Sequence, residues 1–211
     1  MRLRMTFAAT VAAIATLAAA AGAQAGTLYS FAGPTGELPT DVSITKSFSG
    51  AAGAAQVAFT LDGYASLDGQ NYYEDDFTLS LNSTPILSAT FNLGGGGADV
   101  VFFAPGGASV NNISGNGTAV TWAGGKVLIS TPLNLLAGLN SLTFNYTALP
   151  RYAHAGFQGT GDEGWGLRDI VVTQAAAGVP EPASWALMLM GFGGLGAVLR
   201  RGCRQAALVA A

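Results

Sequence analysis

Two segments of the chain crowd carboxylates together. Asp68-Gly69-Gln70-Asn71-Tyr72-Tyr73-Glu74-Asp75-Asp76 precedes one alternating stretch, and Gly161-Asp162-Glu163-Gly164-Trp165-Gly166-Leu167-Arg168-Asp169 leads into another. Hard oxygen donors gathered in a loop suit calcium, which takes about six to eight of them in loose geometry. The candidate ligands are Glu74, Asp75, Asp76, Asp162, Glu163 and Asp169. Neither run has EF-hand spacing, so each acid alone reads as a solvated turn carboxylate, and a cation site depends on what the fold brings together. Aromatic residues sit among these acids. Trp165 reads as a core tryptophan sealing the end of a sandwich, or else as a platform on which a pyranose stacks. Tyr72 and Tyr73 are ordinary half-buried loop aromatics or further platforms of that kind, and Trp122, in an alternating stretch, is expected in the core.

Other chemistries find less. His154 is the sole histidine, and no G-x-S-x-G accompanies it, so a Ser-His-Asp site has no elbow and a histidine zinc site too few ligands. Gly159-Thr160-Gly161-Asp162-Glu163-Gly164 matches G-x-G-x-x-G by letter, but it precedes a strand and its two acids would repel a pyrophosphate. The acids would permit a paired-carboxylate glycosidase, although no spacing identifies an acid/base pair. Every Asp and Glu except Glu181 lies between residues 26 and 178, against only Lys46, Lys126, Arg151 and Arg168. A segment so acidic has no basic patch to neutralise phosphates, which excludes nucleic acid as a partner.

These residues must be positioned by strands. Phe77, Leu79 and Leu81 alternate with Thr78, Ser80 and Asn82; Leu142, Phe144 and Tyr146 alternate with Ser141, Thr143 and Asn145; Val57, Phe59 and Leu61 share a third face. Period two marks strands with one wet face. Further strands read at 41–48, 86–93, 99–104, 118–122, 126–131 and 168–173, separated by turns such as Asp62-Gly63, Pro105-Gly106-Gly107 and Gly115-Asn116-Gly117. The reading is all-β, an antiparallel β-sandwich of jelly-roll type over residues 26–173, with a short linker at 174–180.

Both ends carry addresses. Arg2 and Arg4, the apolar stretch Met5 to Ala21, and Ala23-Gln24-Ala25 make a signal peptide at 1–25 for signal peptidase. Near the other end, Pro180-Glu181-Pro182 is followed by Trp185, an apolar run from 183 to 199, and Arg200, Arg201 and Arg204. About 17 residues reach about 25 Å as a helix, a marginal transmembrane span, and the basic stop at 200–204 belongs on the cytoplasmic side. The sole cysteine, Cys203, lies beyond the span, so the exported part has no disulfide.

The tail closely resembles the PEP-CTERM sorting signal in its PEPxxWA form, which is also labelled an ice-binding protein C-terminal domain and occurs in Gram-negative bacteria that make extracellular polysaccharide. The resemblance implies an exosortase as processing partner, with recognition and cleavage around Pro180, Glu181, Pro182 and Trp185, the span, and Arg200 and Arg201. Asp162-Glu163-Gly164-Trp165-Gly166-Leu167-Arg168-Asp169-Ile170-Val171 is similar to the ending Asp-Glu-x-Trp-Gly-Ile-Asp-Asn-Val of extracellular sandwiches, with Arg168 where Asp is commonest. Similar jelly rolls in carbohydrate-binding modules and adhesive repeats hold a structural calcium near the last strand. The leading reading is an exported, non-catalytic surface or extracellular-matrix protein associated with exopolysaccharide. A calcium-dependent carbohydrate-binding module is the alternative, and a secreted glycan hydrolase is the third reading.

Overall fold

The alternating stretches become strands in the computed structural model, which describes residues 25–148, 160–175, 186–196 and 200. In chain order among the described residues, β1 is Ala25–Phe31, β2 Leu38–Pro39, β3 Ser43–Gly50, β4 Gly53–Ala65, β5 Asp75–Leu81 and β6 Thr84–Thr90. They are followed by β7 Val100–Phe103, β8 Ser109–Asn112, β9 Gly125–Leu135, β10 Gly138–Ala148 and β11 Glu163–Ala175. One sheet has the order β1-β11-β4-β9-β8, with β2 also on β11, and the other β3-β10-β5-β6-β7. The paired strands run antiparallel. The chain changes sheet between β2 and β3, β3 and β4, β4 and β5, β7 and β8, β9 and β10, and β10 and β11. Loops at the sandwich ends therefore bridge the two layers.

The core is the meeting of the two inner faces. Val57, Phe59 and Leu61 of β4 and Val127, Ile129, Leu133 and Leu135 of β9 face Phe77, Leu79 and Leu81 of β5 and Leu142, Phe144 and Tyr146 of β10. Phe59 holds the layers together, its ring 5.9 Å from Phe77 and 5.0 Å, edge-on, from Phe144. Each such side chain removed from water contributes about 1.5–3 kcal/mol. The compact unit Gln24–Ala176 contains both sheets and this entire core, so it has what a domain needs to fold by itself.

Three expectations change. The stretch 118–122 is not a strand: the N–H groups of Thr121 and Trp122 both donate to the Gly94 carbonyl, at 2.8 and 3.0 Å. Consecutive strand residues send their N–H groups to opposite sides, so this is a turn. Trp122 is accordingly no core residue but 62% exposed, with φ of 54°. The last strand starts at Glu163 rather than at residue 168, and Gln174 and Ala175 pair with Gly26 and Ala25, so the expected linker opens inside β11.

The second unit contains the chain ends. Residues 186–196 are helical, with Leu187, Met188, Leu189, Met190, Phe192 and Leu195 exposed. These 11 described residues rise about 16 Å against about 30 Å of hydrocarbon, and the rest of the expected span, 183–185 and 197–199, lies outside the described residues. Among the described residues no helix is long and apolar enough to cross a membrane. Arg200 is exposed and helical, whereas residues 1–24, Pro180, Glu181, Pro182, Trp185 and Arg201 lie outside the described residues.

Candidate metal centre

Asp75 and Glu163 end two rows that the core otherwise fills. The inward row of β5 runs Asp75, Phe77, Leu79, Leu81, and that of β11 runs Glu163, Trp165, Leu167. Period two thus carries one carboxylate from each sheet into the interior at the same end of the sandwich. Asp68 joins them from the loop between β4 and β5. Its N–H donates to Asp75 Oδ2 at 2.9 Å, and Asn71 Nδ2 donates to its Oδ1 at 2.5 Å. Thr90 Oγ1 bridges the carbonyl oxygens of Asp68 and Asp75, at 3.1 and 2.7 Å. The Gly94–Gly97 loop closes over this corner because it lacks side chains. A Cβ at Gly95 would collide with the Ser66 carbonyl and with Asp68 Oδ2, and Gly94 has φ of 112°.

The result is three buried carboxylates, each with an oxygen within 4.8 Å of the others. Asp75 is fully buried, Glu163 4% exposed and Asp68 5% exposed. Asp75 Oδ1 and Glu163 Oε2 are buried without a hydrogen-bond partner, as is the hydroxyl of Tyr146. Burial, then the charge of Glu163, pushes Asp75 up to about 9. Burial, then the charges of Asp68 and Asp162, pushes Glu163 up to about 8. Tyr146 is raised by burial and next by Asp75. Two unit charges within 4.8 Å of each other repel by about 3 kcal/mol or more at an effective dielectric near 20. Such a set must hold protons or a cation. Two oxygens on one calcium, each about 2.4 Å from it, are at most about 4.8 Å apart, so the spacing fits that ion. An all-oxygen donor set with no histidine or thiol fits a hard cation and not zinc.

Of the six acids expected as ligands, Asp75 and Glu163 come together; the other four are not in that group. Glu74 is buried next to Asp75 but out of phase with the inward row, and Asp76 is half-buried. Asp162 accepts from Ser66 Oγ at 2.8 Å and from Ser66 N on its carbonyl at 2.9 Å, pinning the loop to the start of β11. Asp169 is exposed, in a bulge with φ of 54°, about 20 Å along β11 from Glu163. Arg168, in place of the commoner acid, pairs with the buried Asp62 through Nε at 2.6 Å. Asp68 was missing from the expected set, although it opens the first acidic run.

Trp165 is not a sugar platform. It is fully buried, donates from Nε1 to the Pro39 carbonyl at 3.0 Å and packs 6.1 Å from Tyr146. A buried indole has no face to offer a ligand. Tyr72 and Tyr73 are 50% and 51% exposed, their rings edge-on at 5.2 Å.

Comparison with known proteins adds little for the sandwich. No curated protein matches the chain. The solved structure of the CBM35 from Cellvibrio japonicus Abf62 is similar over 72% of this chain and 88% of its own, at 12% identity and a TM-score of 0.30. A likeness that distant extends to neither ligand nor activity. The tail is more specific: residues 178–204 match the PEP-CTERM protein-sorting motif, which implies an exported protein sorted by an exosortase.

Proposed function

We propose that this chain is a non-catalytic protein of the cell surface or extracellular matrix, associated with exopolysaccharide, whose sandwich is closed at one end by calcium. The observation that carries the reading is the buried set Asp68, Asp75 and Glu163, drawn from both sheets and the loop between them, with orphaned oxygens on Asp75 and Glu163. These three carboxylates would hold the ion, whose charge would offset theirs and tie β5 to β11. Because the acids that lie together are buried, a glycan cannot reach them, which supports a structural role over acid/base catalysis. The sorting steps rest on the two ends of the chain: from the first, signal peptidase cuts after Ala25; from the tail, the run 183–199 holds the chain transiently in the inner membrane and exosortase acts near Pro180-Glu181-Pro182. A second reading, a calcium-dependent carbohydrate-binding module, is favoured by the exposure of Tyr72 and Tyr73.

The test is thermal melting of residues 24–176 at pH 8 in EDTA and with calcium restored. The reading expects the melting temperature to drop in EDTA and recover with calcium. Coincident curves would remove the ion from the account.

A further inference from the structure

We infer that the loop end of the sandwich is a binding surface for a neutral polysaccharide, with Trp122 as its main stacking platform. The inference rests on the exopolysaccharide reading above and names the surface that would make the contact. Three loops lie side by side there. The middle one, residues 91–99, receives Gly69 N on the Gly96 carbonyl at 2.8 Å and Gln70 N on the Ala98 carbonyl at 2.7 Å from the loop that carries Tyr72 and Tyr73. On its other flank the Gly94 carbonyl accepts from Thr121 and Trp122. Asn92 ties the third loop down, its Nδ2 donating to the carbonyls of Gly117 and Ala119 at 3.1 and 2.9 Å while its Oδ1 accepts from Gly94 and Gly96. Gly94 to Gly97 form a floor without side chains, and Val120 Cγ2 lies 2.9 Å from where a Cβ of Gly96 would be.

On this frame the large aromatics point outward. Trp122 is 62% exposed, more than Tyr72 or Tyr73, and Val120 beside it is 60% exposed. Trp122 also takes φ of 54°, a region costly for a bulky side chain. The fold thus bears local strain at a residue whose indole it leaves in water, so packing does not explain its position. A rigid, exposed indole offers the apolar face on which a pyranose stacks, with little ordering cost on binding. The charge pattern selects the ligand. Residues 91–98 and 113–125 contain no Asp, Glu, Lys, Arg or His, and the exposed Asp99 that ends the middle loop has its carboxylate engaged by Asn92 N–H and Asn112 Nδ2. The nearby carboxylates Asp68, Asp75 and Glu163 are buried. Loops that offer no cation, whose exposed Asp99 is already engaged by Asn112 and which are backed by buried acids, repel polyanions and favour a neutral sugar chain.

Affinity electrophoresis of residues 24–176 in calcium, through gels holding the neutral or the acidic polysaccharide fraction of the producing cell's own matrix, tests this. Retardation is expected in the neutral fraction. Trp122→Ala should weaken it about tenfold or more, and Tyr72→Ala by less. Phe103→Ala, an exposed aromatic at the far end of β7 beside Asn82 and Thr84 of the β5–β6 turn, should leave it unchanged. Melting curves of each variant, with and without calcium, check folding and read the cation site separately. No retardation in the neutral fraction, retardation only in the acidic one, or equal retardation of wild type and Trp122→Ala would each overturn the inference. A preserved calcium response in that case would leave the cation reading standing.

Discussion

Asp75→Asn should reverse its effect on stability depending on pH and calcium. Without a cation, folded Asp75 keeps its proton to about pH 9, whereas the unfolded chain releases it near 3.8. Between those values the folded state binds more protons than the unfolded state. Its contribution is therefore fully present below the unfolded value and is lost as pH rises toward 9. The slope is about 1.4 kcal/mol per pH unit, so Asp75 alone removes about 4 kcal/mol between pH 5 and pH 8. For a sandwich of roughly 150 residues that is about 8–16 °C in melting temperature. Asparagine does not titrate and retains an acceptor for the Asp68 N–H, so the variant escapes this loss. In EDTA its melting curve against pH should be flatter and cross the wild-type curve, lying above it at pH 8. In calcium the order should invert, because the wild type gains the ion and the variant has lost a ligand. Melting by circular dichroism at pH 5, 6, 7 and 8, with and without calcium, reads all of this. A wild type whose EDTA curve is flat from pH 5 to 8, or a variant that responds to calcium as fully as wild type, would refute the reasoning.

Further outcomes follow from single contacts. Gly95→Ala would push a methyl into the Ser66 carbonyl and Asp68 Oδ2, so it should destabilise by about 1–3 kcal/mol and blunt the calcium response in the same melts. Thr131→Val should raise the melting temperature by a few degrees, because it replaces a fully buried hydroxyl that has no partner, a defect worth about 1–3 kcal/mol. Replacing Pro180-Glu181-Pro182 by alanines should leave an uncleaved form in the inner membrane, visible on immunoblots of fractionated cells; normal processing would contradict the assigned sorting route.

The fold was legible wherever alternation was long and in phase. Phe77, Leu79 and Leu81, and Leu142, Phe144 and Tyr146, line the core as their spacing implies. Short strands without that signal escaped: β1, β2 and β8 contain few alternating apolar residues and owe their state to partners far along the chain, such as Ala25 with Ala175. The site was half legible. Acid clusters marked its neighbourhood, but choosing among six carboxylates required knowing where the strands begin. Starting β11 at residue 168 concealed that Glu163 is in phase with Trp165 and Leu167, and therefore inward. Asp75 in phase with Phe77 and Leu79 was the corresponding signal on the other sheet. Trp122 was misplaced because Val120 and Trp122 alternate with Ala119 and Thr121 as strand residues would. What overrode the pattern is long-range: one carbonyl, that of Gly94, takes both N–H groups of the turn.

The most direct measurement is the calcium content of the sandwich itself. Residues 24–176, dialysed at pH 8 against micromolar calcium and analysed by elemental mass spectrometry, should hold one calcium per chain. The double variant Asp75→Asn, Glu163→Gln should hold none. A wild-type protein that retains no calcium above the dialysis buffer would contradict the account, and the three carboxylates would then be a buried proton-holding cluster.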